Sequence, residues 1–306
     1  MKITTIGRWG MAGLLGVLVL GAAEMTAGDP YAEEIATWRS QRVAQLTKAD
    51  GLFSLIGLHF LKTGENTVGS AKDNTVVLAH GPAHLGTYTL APNGMVKAMF
   101  NPGIEVLVDG QAPVALTVSL SDDTRRNPSA VTVGTVSIYV IDRDGRKALR
   151  VKDSEVESRA HFLGLDYFPV DPTWRIEAKW VAFDRPKEVP IKSILGNVSP
   201  AMVLGKAVFS RAGHTYELLP IQDDPDGLLF FVISDLTSGH ETYGPARFLY
   251  AAPPEDGKVI LDFNKAQNPP CAFTPFATCP LPPKENQLPL AVTAGEKNYR
   301  GHGVSP

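Results

Sequence analysis

The C-terminal half of this 306-residue chain concentrates side chains that can exchange protons or bind a polar ligand. One group lies in the segment SGHETYGPARFLY, and a second flanks a proline-rich stretch that follows it. Carboxylates beside an arginine and a tyrosine can act as a general acid and base, or can bind a ligand without reacting. In the alternative interpretation, the arginine pairs with an acidic neighbour and the asparagines cap turns. The candidate site residues are Glu241, Tyr243, Arg247, Asp262, Asn264, Glu285 and Asn286.

The proline-rich stretch NPPCAFTPFATCPLPPKENQLPL, residues 268–290, contains seven prolines. Proline fixes φ and removes a backbone donor, so this stretch can be neither a helix nor a central strand. It is predicted to be an ordered loop held by its aromatic residues Phe273 and Phe276. Such a loop can be a structural clasp over one end of a β structure, or it can form part of a functional site.

Both cysteines of the chain, Cys271 and Cys279, lie in this loop. In an exported protein two cysteines usually form a disulfide, and Thr274-Pro275 can turn the chain back between them. A reactive thiol remains an alternative. The spacing does not fit a zinc site and no histidine lies nearby, so no metal site is expected.

Other familiar chemistries have no sequence support. Outside the N-terminal segment there is no nucleophile elbow, phosphate-binding loop, zinc-protease motif or dinucleotide fingerprint, so no cofactor is expected. The formal net charge is −3, and no basic run is interleaved with aromatic residues, so nucleic-acid binding is not expected. A remaining polar cluster could hold an anion or could be a solvated charge run at a domain junction. It consists of Arg150, Lys152, Asp153, Arg159 and His161.

The N-terminus has the pattern of a secretory signal peptide, assigned to residues 1–28. Lys2 and Arg8 precede an apolar run, 11–20, that is far shorter than the ~20 residues a membrane-spanning helix needs. An uncleaved N-terminal anchor is the alternative. The pattern predicts a soluble periplasmic or extracellular protein without a membrane span once the signal is removed, and it leaves the oligomeric state open.

The remaining sequence predicts a mainly β protein with one N-terminal helix. Asp29 can cap this helix and Pro30 suits its first turn, so the helix is assigned to residues 29–50. Turn signals then recur between short apolar runs, with a strong hairpin signal at Asp144-Gly145. We predict a β-sandwich-like domain over 51–153 and a second antiparallel β domain over 154–306, closed by the loop 268–290. A single continuous β body is the alternative.

Four blocks of the chain occur together in a known family. They are GLFSLIGLHFLKTGENTVGS, GLDYFPVDPTWRIEAKW, SGHETYGPARFLY and the segment from Leu261 to Lys297 that contains both cysteines. On these blocks the chain resembles the domain-of-unknown-function family 1684 from about Trp38 to Lys297. The resemblance implies no established activity.

A shorter region, from Gly64 to about Ile141, is similar to the forkhead-associated β-sandwich. That fold binds phosphothreonine through a Gly-Arg pair and a Ser-x-x-His segment. Here the pair reads Gly69-Ser70, and the residue three positions before His84 is not serine. Because serine cannot provide the charge-assisted fork of arginine, the resemblance implies the sandwich without phosphopeptide binding.

Two functional hypotheses follow from these patterns. The first is an exported protein that binds a small polar molecule or a glycan. The second is an exported hydrolase that uses the Glu/Asp/Tyr/Arg cluster. A hydrolase needs titratable groups facing each other in a pocket, with one carboxyl pKa raised, whereas a binding protein needs only an aromatic-lined concavity.

Overall fold

The structure, a computed structural model, describes residues 28–157, 161–221 and 227–301. The signal peptide assigned to 1–28 therefore lies, apart from Gly28, outside the described residues. Helix α1 spans Pro30–Leu46 and begins as predicted, because the Asp29 carboxylate accepts a hydrogen bond of 2.8 Å from the Tyr31 backbone N–H. It ends four residues earlier than predicted, at Leu46, and the Thr47 N–H bonds back to the Val43 carbonyl.

Two five-stranded sheets form a β-sandwich in the N-terminal part of the described chain. One sheet has the order β1-β10-β9-β8-β6 and the other has the order β3-β2-β4-β5-β7. All pairs are antiparallel except β2 with β3. The strands are β1 Leu55–Phe60, β2 Gly64–Gly69, β3 Val76–Val77, β4 Gly86–Leu90, β5 Val96–Phe100, β6 Leu107–Val108, β7 Thr117–Leu120, β8 Ala130–Val133, β9 Val136–Arg143 and β10 Arg146–Asp153.

The sandwich core forms because alternate side chains of the strands point inward. Val136, Ile138 and Val140 of β9 are buried in one core with residues of the opposite sheet such as Tyr88. The Asp144-Gly145 turn connects β9 directly to β10, as predicted. Both of its residues have positive φ, 57° and 77°, the conformation that a two-residue hairpin turn requires.

The C-terminal part contains a second set of antiparallel sheets. A four-stranded sheet has the order β13-β12-β11-β16, and β14 pairs with β15. The bounds are β11 Arg175–Lys192, β12 Val198–Arg211, β13 His214–Leu218, β14 Leu229–Ile233, β15 Arg247–Ala251 and β16 Lys258–Asp262. The pairing of β11 with β12 shifts register between Ala182 and Lys187, next to Pro186, which cannot donate to the ladder.

The two parts have separate hydrophobic cores. One core contains residues between Val68 and Val151, and another contains residues between Trp174 and Ala294. The predicted domain boundary at 153/154 falls between them and remains a prediction. The mainly β fold with one N-terminal helix is confirmed. Within the described ranges, no helix is both long and apolar enough to span a membrane.

The loop 268–290 contains the predicted disulfide. Cys271 and Cys279 are bonded, with their Cα atoms 6.3 Å apart. On one side, the Cys279 carbonyl accepts a hydrogen bond from the Ile194 N–H, beyond the end of β11. On the other side, the Thr278 hydroxyl accepts one from Arg143 of the sandwich. The loop therefore connects the long β11–β12 ribbon to the sandwich, which is the role of a clasp.

Candidate functional site

Arg247, at the start of β15, is a buried structural residue. Its side chain is 1% exposed and donates 2.7 Å to Asp235 Oδ2. It also donates to the backbone carbonyls of Val292 and Ala294, at 2.9 and 2.5 Å. The other Asp235 oxygen accepts from the Val292 N–H at 3.1 Å. These bonds attach residues 292–296, which we call the C-terminal segment, to β15, and they leave the Arg247 side chain enclosed by protein.

Asp262 and Asn264 lie together beneath the start of helix α1. The Tyr31 hydroxyl donates to Asp262 Oδ1 at 2.7 Å and accepts from the Asn264 amide at 3.0 Å. Asn264 also bonds to both backbone groups of Asp171. Burial and the adjacent Asp262 raise the pKa of Tyr31. Tyr31 was not among the candidate site residues, because its partners Asp262 and Asn264 lie 231 and 233 positions away in the sequence.

The other candidate residues lie elsewhere. Glu241 is exposed, and its backbone carbonyl accepts from the Asn298 N–H. The Tyr243 hydroxyl donates to the Cys271 carbonyl at 3.1 Å. Asn286 is fully buried and bonds to both backbone groups of Leu219 and to the Val232 carbonyl. The structure thus brings Asp262 and Asn264 together and distributes the other five candidates among different neighbourhoods.

Glu285 is the candidate that faces a concave surface. It lines a groove of about 520 Å³ between the edge strand β13 and the segment 285–289, which we call the β13 groove. Asn286 fixes one wall of this groove through its bonds to Leu219. The lining residues are His214, Thr215, Tyr216, Glu217, Glu285, Leu288 and Pro289.

The β13 groove combines an aromatic residue with hydrogen-bonding groups. Tyr216 stacks on Phe209 with ring centroids 5.4 Å apart, which supports its position in the wall. Glu217 is paired with Lys206 at 2.7 Å. Glu285 has no hydrogen-bond or ion-pair partner among the described residues, so its carboxylate can accept bonds from a ligand. Sequence reasoning missed the β13 residues, which follow the turn at Ala212 and Gly213 between β12 and β13.

Glu296 is a second residue that sequence reasoning missed. It is fully buried, and it accepts a hydrogen bond from Arg42 Nε at 2.9 Å and one from the Asn268 N–H at 2.7 Å. Arg42 also donates to the Asn268 carbonyl at 2.8 Å. Burial raises the pKa of the Glu296 carboxyl despite these bonds. Because Arg42 and Glu296 are 254 positions apart, no local pattern could have indicated their contact.

The residues of the polar cluster predicted from the sequence are also distributed among different neighbours. Asp153 contacts His80 Nδ1 at 2.5 Å, and His161 lies 3.7 Å from Glu157, whereas Arg159 lies outside the described residues. Arg150 and Lys152 remain neighbours on β10. No cluster of three or more potential metal-binding side chains occurs among the residues that the structure describes.

Comparison with known proteins gives a family without a described activity. The family model "Protein of unknown function (DUF1684)" matches residues 160–297, a shorter range than the resemblance from Trp38 to Lys297 noted in the sequence. No protein with a curated description matches the chain. The solution structure of an uncharacterized protein from Haloarcula marismortui is 32% identical to this chain. The match covers 48% of this chain and 82% of that one, with a TM-score of 0.40.

Proposed function

The chain belongs to the DUF1684 family of proteins of unknown function, and we propose that it is an exported protein that binds a small polar molecule or a glycan in the β13 groove. The observation that carries the proposal is that the Glu285 carboxylate, which has no partner among the residues that the structure describes, lies in the same concavity as the Tyr216 ring. At about 520 Å³ the groove lies within the size range of small-molecule sites.

The chemistry of the groove suits a ligand with many hydroxyl or amine groups. Glu285 offers acceptor oxygens, Thr215 offers a hydroxyl and His214 offers a ring nitrogen. Tyr216, Leu288 and Pro289 provide apolar surface against which a ring can pack. A sugar presents such polar edges together with less polar faces.

The disulfide supports the export part of this proposal. Disulfides persist mainly in oxidising compartments such as the periplasm and the extracellular space. Together with the signal pattern in 1–28, the Cys271–Cys279 bond favours a protein that functions outside the cytosol.

The alternative of a hydrolase that uses the Glu/Asp/Tyr/Arg cluster has less support. Arg247 is enclosed, and Asp262 is bonded to Tyr31 and does not line the groove that contains Glu285. The carboxyl group with a raised pKa, Glu296, is fully buried and does not line the β13 groove. Of the predicted Glu/Asp/Tyr/Arg cluster, the groove is therefore lined by Glu285 and not by Glu241, Tyr243, Arg247 or Asp262.

The proposal can be tested with a panel of neutral and amino mono- and oligosaccharides. Binding is first detected by thermal shift, and the affinity of each positive sugar is then measured by calorimetry. Glu285→Gln is expected to weaken binding about tenfold, because the loss of one charge-assisted hydrogen bond changes affinity by about that factor. Glu241→Gln is the matched control, because Glu241 is an exposed glutamate outside the groove, and it should leave affinity unchanged.

A panel without a binding sugar, or equal affinities in Glu285→Gln and the wild type, would contradict the proposal. Hydrolysis of chromogenic glycosides or esters that disappears in Glu285→Gln would favour the alternative.

A further inference from the structure

The sandwich contains a second concave surface that the proposed function does not use. A groove of about 370 Å³ lies where the chain after helix α1 crosses the outer face of the sheet formed by β8, β9 and β10, and we call it the sandwich groove. Its lining residues are Ala49, Asp50, Pro128, Ala130, Thr135, Ser137, Tyr139, Lys152 and Ser154.

The strand register places the polar lining on one face. Lys152 of β10 pairs with Ser137 of β9, and Arg150 pairs with Tyr139 two residues further along. Since alternate residues share a face of a strand, these four side chains project on the same side, away from the core residues Ile138 and Val151. The groove is therefore lined by an ammonium and hydroxyl groups, with a guanidinium beside them.

The two cations on this face form no close ion pair with a carboxylate among the described residues, although Asp50 is near enough to Lys152 to interact with it electrostatically. The Lys152 ammonium donates 2.7 Å to the Asp50 backbone carbonyl and lies 5.5 Å from the Tyr139 ring, and it forms no ion pair with a described carboxylate. The Arg150 side chain bonds to Tyr139, and its buried Nε atom has no hydrogen-bond partner. Burial lowers the pKa of Lys152 and the nearby Arg150 acts in the same direction, while the Asp50 carboxylate opposes the shift.

We propose that the sandwich groove binds a small oxyanion, a phosphate or a carboxylate, through the Lys152 ammonium and the Ser137 hydroxyl. An oxyanion would provide a direct countercharge for Lys152 and would accept a hydrogen bond from the Ser137 hydroxyl. The Asp50 carboxylate lines the same groove and would repel an anion nearby, so the ligand is expected at the Ser137 side of Lys152. This site differs in sign from the β13 groove, where Glu285 is the unpaired group.

The test uses calorimetry at low ionic strength with two probes, inorganic phosphate and gluconate, and with glucose as the neutral counterpart of gluconate. We expect saturable binding of at least one anion and none of glucose at this groove. Binding of gluconate alone would identify an organic acid as the ligand class, and binding of phosphate alone would identify a phosphate group. Lys152→Met is expected to weaken anion binding tenfold or more, and Lys152→Arg should keep it within about threefold.

Two further variants test whether anion binding requires the groove or only a positively charged surface. Ser137→Leu fills the groove and keeps both cations, and it should abolish binding. Lys97→Met removes a lysine from β5 of the opposite sheet and should have no effect. Each variant is first checked for a wild-type circular dichroism spectrum and urea midpoint. The proposal is overturned if neither anion saturates, if Lys152→Met binds like the wild type, or if Ser137→Leu retains binding while Lys152→Met loses it.

Discussion

Two polar regions of the molecule use similar side chains for different purposes. The buried polar network consists of Arg247, Asp235, Glu296, Arg42 and Asn268, and its side chains bind one another and the backbone. In the β13 groove, by contrast, Glu285 is exposed and has no hydrogen-bond or ion-pair partner in the described part of the chain. The difference shows that an arginine or a carboxylate indicates a site only when the fold leaves the side chain accessible to a ligand.

The buried network also explains why charged residues lie in the interior of the protein. Arg247 donates hydrogen bonds to the backbone carbonyls of Val292 and Ala294, which lie outside the named strands. Arg42 attaches helix α1 to the same C-terminal segment through Glu296. A buried charge is tolerated only when it is paired and hydrogen-bonded. The network therefore acts as a connection between the helix, β15 and the C-terminal segment.

The largest expected effect comes from removing the arginine of this network. Arg247→Met leaves the Asp235 carboxylate buried without its cation, and the free energy of unfolding should fall by about 3–5 kcal/mol. Urea unfolding measures the loss. Arg175→Met, which removes an exposed arginine from β11, is the control and should change stability by less than about 0.5 kcal/mol.

A double variant tests the reason for that loss. Asp235→Asn combined with Arg247→Met removes the uncompensated charge and keeps an acceptor for the Val292 N–H, so it should be more stable than Arg247→Met alone. If the free energy of unfolding fell by less than about 1 kcal/mol in Arg247→Met, the network would contribute little to stability. The contrast between a structural network and an open β13 groove would then be wrong.

The next effect depends on pH and concerns Glu296. Its pKa is raised in the folded state, so the stability it contributes is fully present below the unfolded value of about 4.3 and is lost as pH rises through the folded pKa. Glu296→Gln does not titrate and lacks this decline. The variant should cost about 2 kcal/mol at acid pH, because one of its two donors loses its acceptor, and the cost should shrink as pH rises.

Urea unfolding of wild type and Glu296→Gln at pH 4 and pH 7.5 checks this prediction. A cost that grows with pH would indicate that Arg42 and Asn268 hold the carboxylate in its charged form more strongly than burial opposes it.

Much of the fold could be predicted because its signals are local. Asp29-Pro30 starts the helix, Asp144-Gly145 makes the hairpin, and Cys271 and Cys279 lie close enough in sequence to pair. The candidate site depended on long-range contacts instead. Arg247 was predicted to be a site residue. The sequence could not show that Asp235 and the backbone carbonyls of Val292 and Ala294 would surround its guanidinium.

The β13 groove was only partly predictable for the same reason. Glu285 was identified as a carboxylate beside the loop, but its neighbours Tyr216 and His214 come from a hairpin about 70 residues earlier. Alternation along β13 shows which of its residues share a face, and it does not show which distant segment lies against that face.

The smallest expected effect on stability concerns Glu285, and its chain neighbour provides the comparison. Glu285 is exposed and makes no bond within the described protein, so Glu285→Ala should change the free energy of unfolding by less than about 0.5 kcal/mol. Asn286 makes three buried hydrogen bonds to Leu219 and Val232, so Asn286→Ala should cost about 3 kcal/mol. Urea midpoints of the two variants measure both values. If Glu285→Ala proved as costly as Asn286→Ala, Glu285 would be part of the framework, and the β13 groove would lose the unpaired carboxylate on which its proposed ligand depends.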